Sequence, residues 1–334
     1  MRYAVTGATG FLGANLVRTL LRENHEVLAL IRTPNELVDG LPIQLSTVPL
    51  LGDDSAQREA LENLLVGCDG IFHVAGIFDP SPGGTQRMHD VHVKATENLC
   101  AAAVGAGVPR IVLCSSSITV GFGSLEAPGN EETPYDPDKV YGQTGALRAY
   151  HDTKLEAERL LLSQTDVEGV VVNPDFILGP WDVKPTSGQL IVTMAQRWVP
   201  FYPTGGKCFQ SAGDCARGHL LAMQKGQPGR RYLLGSHNLS YREFMGMVAD
   251  VVQRRPPAWR LPKTIASAAG LVGQVGQRLD AHRFAGLDPH VLKSMTTLRY
   301  RTDERARLEL GLTPEPIQEG IEAAYAWFCD RGYC

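Results

Sequence analysis

The sequence predicts an α/β fold, a doubly wound parallel sheet followed by a smaller α/β C-terminal lobe. Three observations carry this. A glycine-rich turn, Gly7–Gly13, joins a short apolar run to an amphipathic one close to the N-terminus. Strand-like and helix-like segments then alternate as far as Asn173. After Pro174 the rhythm is broken by Pro180, Pro185, Pro200, Pro203 and several glycines. Such alternation gives a parallel sheet covered on both faces, with right-handed crossovers.

The elements follow in order. Tyr3–Val5 reads as the first strand and Phe11–Arg22 as the first helix. Glu26–Ile31 is the second strand and Thr47–Leu51 the third. Asp53-Asp54-Ser55 starts a helix that runs through Leu65. Gly70–Val74 is the fourth strand, Met88–Ala106 a long helix and Arg110–Ser115 the fifth strand. Ala149–Ser163 is a helix and Val167–Asn173 the sixth strand. In the second half Gly213–Lys225 and Tyr241–Gln253 read as helices around a short strand, Arg231–Leu234. Arg255-Pro256-Pro257 is a break, and Lys263–Asp280 is helical and rich in small residues. Pro314–Asp330 is the last helix, with Thr313 as its N-cap and proline in its first turn. We therefore expect a main domain over 1–174 and a smaller lobe over 175–334 that returns segments to it.

Composition narrows the class. Of 334 residues, 43% are hydrophobic and 20% charged, as in soluble enzymes. A formal net charge of −4 implies no general attraction to nucleic acid or to an anionic membrane. Seven scattered cysteines without metal-ligand spacing suggest reduced thiols and a cytoplasmic protein with no metal. The chain opens directly into a strand, which leaves no room for a signal peptide, and no apolar run is long enough to span a bilayer. Lys263–Asp280 has no aromatic residue and few of the basic residues of interfacial helices, so a packing helix or a lid is expected there.

The turn itself suggests a ligand. Gly7 permits a tight bend, Gly10 a close approach of backbone to pyrophosphate, and Gly13 close packing of helix on strand. The positive end of the following helix favours an anion. A dinucleotide is therefore expected. The second strand ends Leu30-Ile31-Arg32, and its nearest acid, Glu26, lies at the wrong end to read a ribose. An arginine there suits the 2′-phosphate of NADP better than the free hydroxyl of NAD, although a solvated loop arginine has the same sequence.

Two later stretches carry chemistry. Leu113-Cys114-Ser115-Ser116-Ser117 closes the fifth strand, and Tyr150-His151-Asp152-Thr153-Lys154 lies near a helix start. Tyrosine and lysine four apart share a helix face. An ammonium near a phenol lowers the phenol's pKa and makes it a usable acid or base. A serine at a strand's C-terminal end can hold a carbonyl oxygen, where ligands of open α/β sheets bind.

With these residues the chain resembles an extended short-chain dehydrogenase/reductase of the NAD-dependent epimerase/dehydratase superfamily, a Rossmann fold. The resemblance spans nearly the whole chain and rests on Thr6–Gly13, Gly52-Asp53, Phe72–Gly76, Val93–Asn98, Ser115–Ser117, Tyr150–Lys154 and Val172–Pro174. Gly179–Gly188 and Arg231–Gly235 are similar to the dihydroflavonol reductase-like and hopanoid-associated sugar epimerase-like groups. The resemblance implies that Gly7, Thr9, Gly10, Phe11, Leu12, Gly13 and Arg32 hold the cofactor, with Asp53 at adenine. Ala75, Gly76 and Ser115 would line its middle, and Pro174, Asp175, Phe176 and Ile177 would cover the nicotinamide. Tyr150 would be the acid/base, Lys154 would hold the nicotinamide ribose, and Ser117, with Ser116 next, would polarise the carbonyl. The chain departs from the pattern at His92, where the family has asparagine, and at Ala95, where it has glycine.

The expected activity is NADP-dependent reduction of a ketone or aldehyde. The expected pocket wall is Phe78-Asp79-Pro80, Phe176, Trp181, Trp198, Phe201 and Phe209, which would give the substrate a large apolar part. Two alternatives stand beside it. One is a nucleotide-sugar epimerase or dehydratase with tightly held NAD, for which an arginine-rich diphosphate site around Gly206–Asp214 is missing. The other is a non-enzymatic NADP-binding sensor. Relatives pair through the two long helices, here Met88–Ala106 and Ala149–Ser163, so a homodimer is plausible.

Overall fold

The computed structural model describes residues 1–47, 50–52, 55–185, 187–262 and 293–334. The chain begins β1 Arg2–Thr6, α1 Phe11–Arg22, β2 Glu26–Leu30, β3 Gln44–Ser46, α2 Ser55–Leu65 and β4 Gly70–His73. It continues with α3 Gly84–His89, a π-helical turn Asp90–Lys94, α4 Ala95–Ala106, β5 Arg110–Cys114, α5 Pro137–Tyr141, α6 Ala146–Leu162 and β6 Glu168–Pro174. Then come β7 Phe176–Leu178, α7 Gln189–Gln196, β8 Phe201–Tyr202, β9 Gly206–Ser211, α8 Ala212–Lys225, β10 Arg231–Leu234 and β11 His237–Ser240. The described chain closes with α9 Tyr241–Val251, β12 Trp259–Arg260, β13 Leu298–Arg299, a π-helical turn Ala306–Leu310 and α10 Ile317–Asp330.

The main sheet has seven strands in the order β10-β6-β5-β4-β1-β2-β3, each neighbouring pair parallel. This is the doubly wound arrangement, whose strand order reverses beside β1. Its central strands are buried on both faces, which is why Ile111–Cys114 and Val170–Val172 are apolar without alternation. One face packs on α1 and α8 through Leu12, Leu16, Leu20, Ala216 and Leu220. The other packs on α2, α4 and α6 through Leu61, Leu65, Leu99, Ala103, Ala157 and Leu161. A third core joins α7, α9 and α10 to the small sheet of β7, β9, β11 and β13 through Phe209, Phe244, Ile321 and Phe328. The second half is thus stitched to the first: α8 and β10 complete the main sheet's layers before the chain leaves again.

Several expectations need correction. The third strand is Gln44–Ser46, not Thr47–Leu51; Leu28–Leu30 of β2 pairs with the earlier, more extended stretch. The long helix begins at Gly84 and contains the π turn. The tyrosine helix begins at Ala146, after Gly145 (φ +100°). The last helix begins at Ile317, because Pro314 and Pro316 stay outside it; its N-cap is Pro316, and Thr313 caps nothing. The Lys263–Asp280 segment and Asp53 lie outside the described residues. Among the described residues no helix is long and apolar enough to cross a membrane.

Candidate active site

The turn after β1 is built from steric necessity. Gly7 sits at φ +71°, and a Cβ there would lie 2.7 Å from the Ala75 nitrogen. A Cβ on Gly13 would lie 2.0 Å from the Gly7 carbonyl oxygen. Both glycines let α1 begin hard against the ends of β1 and β4. Thr6 fastens these ends: its hydroxyl accepts from the Ala75 N–H at 3.1 Å and bonds His73 Nδ1 at 2.7 Å. Gly10 caps α1 without any capping side chain, so the first N–H groups of the helix have no side-chain acceptor. They open into a cleft of about 1020 Å³ lined by Gly7, Thr9, Gly10, Phe11, Leu12 and Gly13. A chain of free N–H groups at a helix start in a glycine cradle fits a pyrophosphate.

At one end of the cleft stands Arg32, exposed, with no hydrogen bond or ion pair to any described residue. Asn35 braces the same loop by donating to the Thr9 carbonyl at 3.0 Å. Among the described residues the only carboxylates lining the cleft are Asp175 and Asp182, and neither belongs to the β2 end.

At the other end Tyr150, Lys154, Ser115 and Ser116 line the cleft beside Ala75, Gly76, Pro174 and Ile177. Tyr150 and Lys154 lie on α6 and therefore share its inward face. The phenol ring is held edge-on by Phe78 and His92, with centroids 5.7 Å and 5.5 Å away. Burial first and the Cys114 thiol second push the phenol's pKa up to about 12, while the neighbouring Ser116 hydroxyl pulls it the other way. Lys154, expected to tune the phenol, has a backbone partner of its own. Its ammonium is buried and donates to the Cys114 carbonyl at 3.0 Å, and burial lowers its own pKa.

The serines also divide differently from expectation. Ser116 faces the cleft, whereas Ser117 is buried in the short helical turn Ser117–Thr119 and is not part of the cleft wall. Ser115 reaches the wall by its backbone, since its hydroxyl is turned inward to Glu158. Phe176 points the other way as well, into the third core, against Phe209 at 5.2 Å. Phe209 is itself buried and stacks on Phe244 at 4.2 Å, and Trp198 and Phe201 meet Trp259 at the surface. Asp79 pairs with Arg87. Of the expected aromatic wall, Phe78 and Trp181 line the cleft. Trp181 is held at φ +76°, with the Arg18 guanidinium 3.7 Å over its ring.

Two residues behind the site were given no role from sequence, although His92 stood out there as a departure from the family pattern. Glu158, one turn beyond Lys154, is buried and accepts from Ser115, from Thr119 at 2.6 Å and from Asn173 at 2.7 Å, while Arg231 pairs with its other oxygen at 3.2 Å. It ties α6 to the ends of β5, β6 and β10. The repeat of four from Tyr150 to Lys154 to Glu158 was a usable signal. His92, in the π turn, accepts from the Ile77 N–H through Nε2 at 3.2 Å and bonds Thr153 through Nδ1 at 2.9 Å. Burial, followed by Lys154 and His73, pushes its pKa down to about 2, so it is a neutral brace between the Gly76 loop and α6.

The cleft, its glycine cradle and the Tyr150–Lys154 pair at the strand ends define a dinucleotide-dependent α/β enzyme. Residues 3–235 match the family model described as NAD dependent epimerase/dehydratase family, and the chain belongs to that family of NAD(P)-dependent extended short-chain dehydrogenases/reductases. It is 32% identical to a Synechocystis protein named "Putative dihydroflavonol 4-reductase", covering 99% of this chain and 95% of that one. It is 31% identical to "Sterol demethylase protein B" of Methylococcus capsulatus, over 99% of each chain. The solved structure of gox2253 superposes with a TM-score of 0.82 at 30% identity, covering 99% of this chain and 98% of that one.

Proposed function

We propose that this enzyme reduces a ketone or aldehyde on a largely apolar small molecule, using NADPH. The observation that carries the proposal is the Tyr150 phenol, protonated across neutral pH, which lines the dinucleotide cleft together with Ser116. Bound NADPH supplies the hydride. The N–H groups at the start of α1 hold the pyrophosphate, Arg32 grips the 2′-phosphate, and Lys154 holds the nicotinamide ribose. Ser116 donates to the substrate's carbonyl oxygen, and Tyr150 delivers the proton that oxygen takes up as it becomes a hydroxyl. Phe78 and Trp181 supply apolar wall. The names of the two reductive or sterol-handling relatives support an apolar substrate without specifying one.

A second reading has one observation in its favour. Lys207 and Arg299 are register partners on β9 and β13, with Asp175 already paired to Arg301, which leaves cationic charge suited to a nucleotide-sugar's diphosphate. The two readings separate in one assay: a reductase consumes NADPH in proportion to alcohol formed, whereas an epimerase turns over a sugar nucleotide with no net consumption. Pairing of two copies through α4 and α6 is the expected assembly, and sedimentation velocity tests it.

A further inference from the structure

The segment after α10 folds back over the cleft wall. Gly332, at φ +74°, ends the helix in the left-handed region, and the Tyr333 N–H donates to the Phe328 carbonyl at 2.9 Å. This reversal places the Cys334 sulfur 2.9 Å from the Cys329 sulfur. The other five cysteines are buried, while Cys329 is partly exposed and Cys334 exposed.

Between the two thiols the segment touches both loops of the dinucleotide cleft. Arg331 pairs with Glu36, on the loop that carries Arg32 and Asn35. The Tyr333 hydroxyl donates to the Val183 carbonyl at 2.6 Å, and Val183 lines the cleft. The Tyr333 carbonyl accepts from Gln196 at 2.7 Å. The Tyr333 ring stacks on Trp327 at 5.9 Å, and Trp327 in turn meets Trp181, the strained cleft residue, at 6.0 Å.

We propose that Cys329 and Cys334 are a redox-active dithiol whose disulfide fastens residues 331–333 onto the two cleft loops and slows release of the dinucleotide. The oxidant is a low-molecular-weight disulfide such as oxidised glutathione. The thiolate of one of the two cysteines attacks one of its sulfurs, breaking that S–S bond and releasing one thiol. The other cysteine then loses its proton and attacks the protein sulfur of that mixed disulfide, expelling the second thiol. The two protein thiols lose two electrons and two protons, and the oxidant becomes two thiols. Fixing both ends of a short turn holds Arg331 and Tyr333 in their bound positions, so the contacts they make to the cleft loops no longer carry the cost of ordering them.

The test uses the full chain equilibrated in glutathione buffers of rising oxidised fraction. Alkylation and mass spectrometry should show a species lighter by two hydrogens, without bound glutathione and with Cys329 and Cys334 alone protected. Release of NADPH and of NADH, followed by fluorescence after dilution, should slow roughly three- to tenfold in that species. A Cys334→Ser chain should show neither change. An Arg331→Ala chain should still form the disulfide yet release the dinucleotide at the reduced protein's rate. A glutathione adduct that never resolves, or an internal disulfide with unchanged release, would overturn the proposal. The mass readout involves neither substrate nor cofactor, so its failure is distinct from failure of the carbonyl-reductase reading.

Discussion

Lys154 donates its hydrogen bond to the Cys114 carbonyl, 3.0 Å away, while Tyr150, on the same helix face, lines the cleft with Ser116. The pair long legible as Tyr-x-x-x-Lys is therefore a pair by position. With its pKa pushed up to about 12, the phenol is an acid before it is a base. An acid loses activity as pH rises through its pKa, so kcat/KM for reduction should show no descending limb from Tyr150 between about pH 6 and 9. Tyr150→Phe should lose about 100- to 10,000-fold in kcat while binding the dinucleotide as the parent does. A pH profile and a titration check both.

Ser116 and Ser117 give a sharper contrast. Ser116→Ala removes the hydroxyl that faces the cleft and should cost about 100-fold in kcat. Ser117→Ala removes one buried outside the cleft wall, so kcat should hold and any loss should appear in thermal stability. Steady-state kinetics on the two variants decides between them; the reverse ranking would return the role to Ser117.

Arg32, at the β2 end of the cleft, makes no hydrogen bond or ion pair with any described residue. Arg32→Ala should weaken NADP binding roughly 10- to 100-fold, the worth of charge-assisted hydrogen bonds, and leave NAD binding unchanged. Calorimetric titration with both dinucleotides measures the ratio.

Glu158 joins three strand ends to the tyrosine helix. Glu158→Ala leaves the Arg231 guanidinium and three donors without their acceptor, and should destabilise the fold by about 3–5 kcal/mol. Glu158→Gln keeps the shape and one acceptor, so it should lose less. Urea unfolding of both variants supplies the comparison.

The architecture was legible because its signals are local. Gly7 and Gly13 are forced by contacts under 3 Å, and Ile111–Cys114 and Val170–Val172 are apolar because both faces of the sheet are covered. Tyr150 and Lys154 were found by their spacing within the order of glycine turn, serine-ended strand and helix, and Arg32 by its place at the end of the second strand; all three line one cleft. What escaped depends on how distant segments meet. Whether Ser116 or Ser117 faces inward turns on the short helical turn between them and Thr119, and Phe176 is turned away by pairing of β7 with β9. Edge strands such as β3, and two-residue strands such as β8, carry too few apolar residues to stand out from loop.

The central claim is net carbonyl reduction. It is tested most directly by incubating the enzyme with NADPH and a panel of polycyclic and aromatic ketones alongside uridine and thymidine diphospho-sugars, following cofactor absorbance and products together. The account predicts loss of NADPH matched one for one by an alcohol from an apolar ketone, and abolished in Tyr150→Phe. Conversion of a sugar nucleotide with no net loss of cofactor, and no ketone reduced, would contradict it.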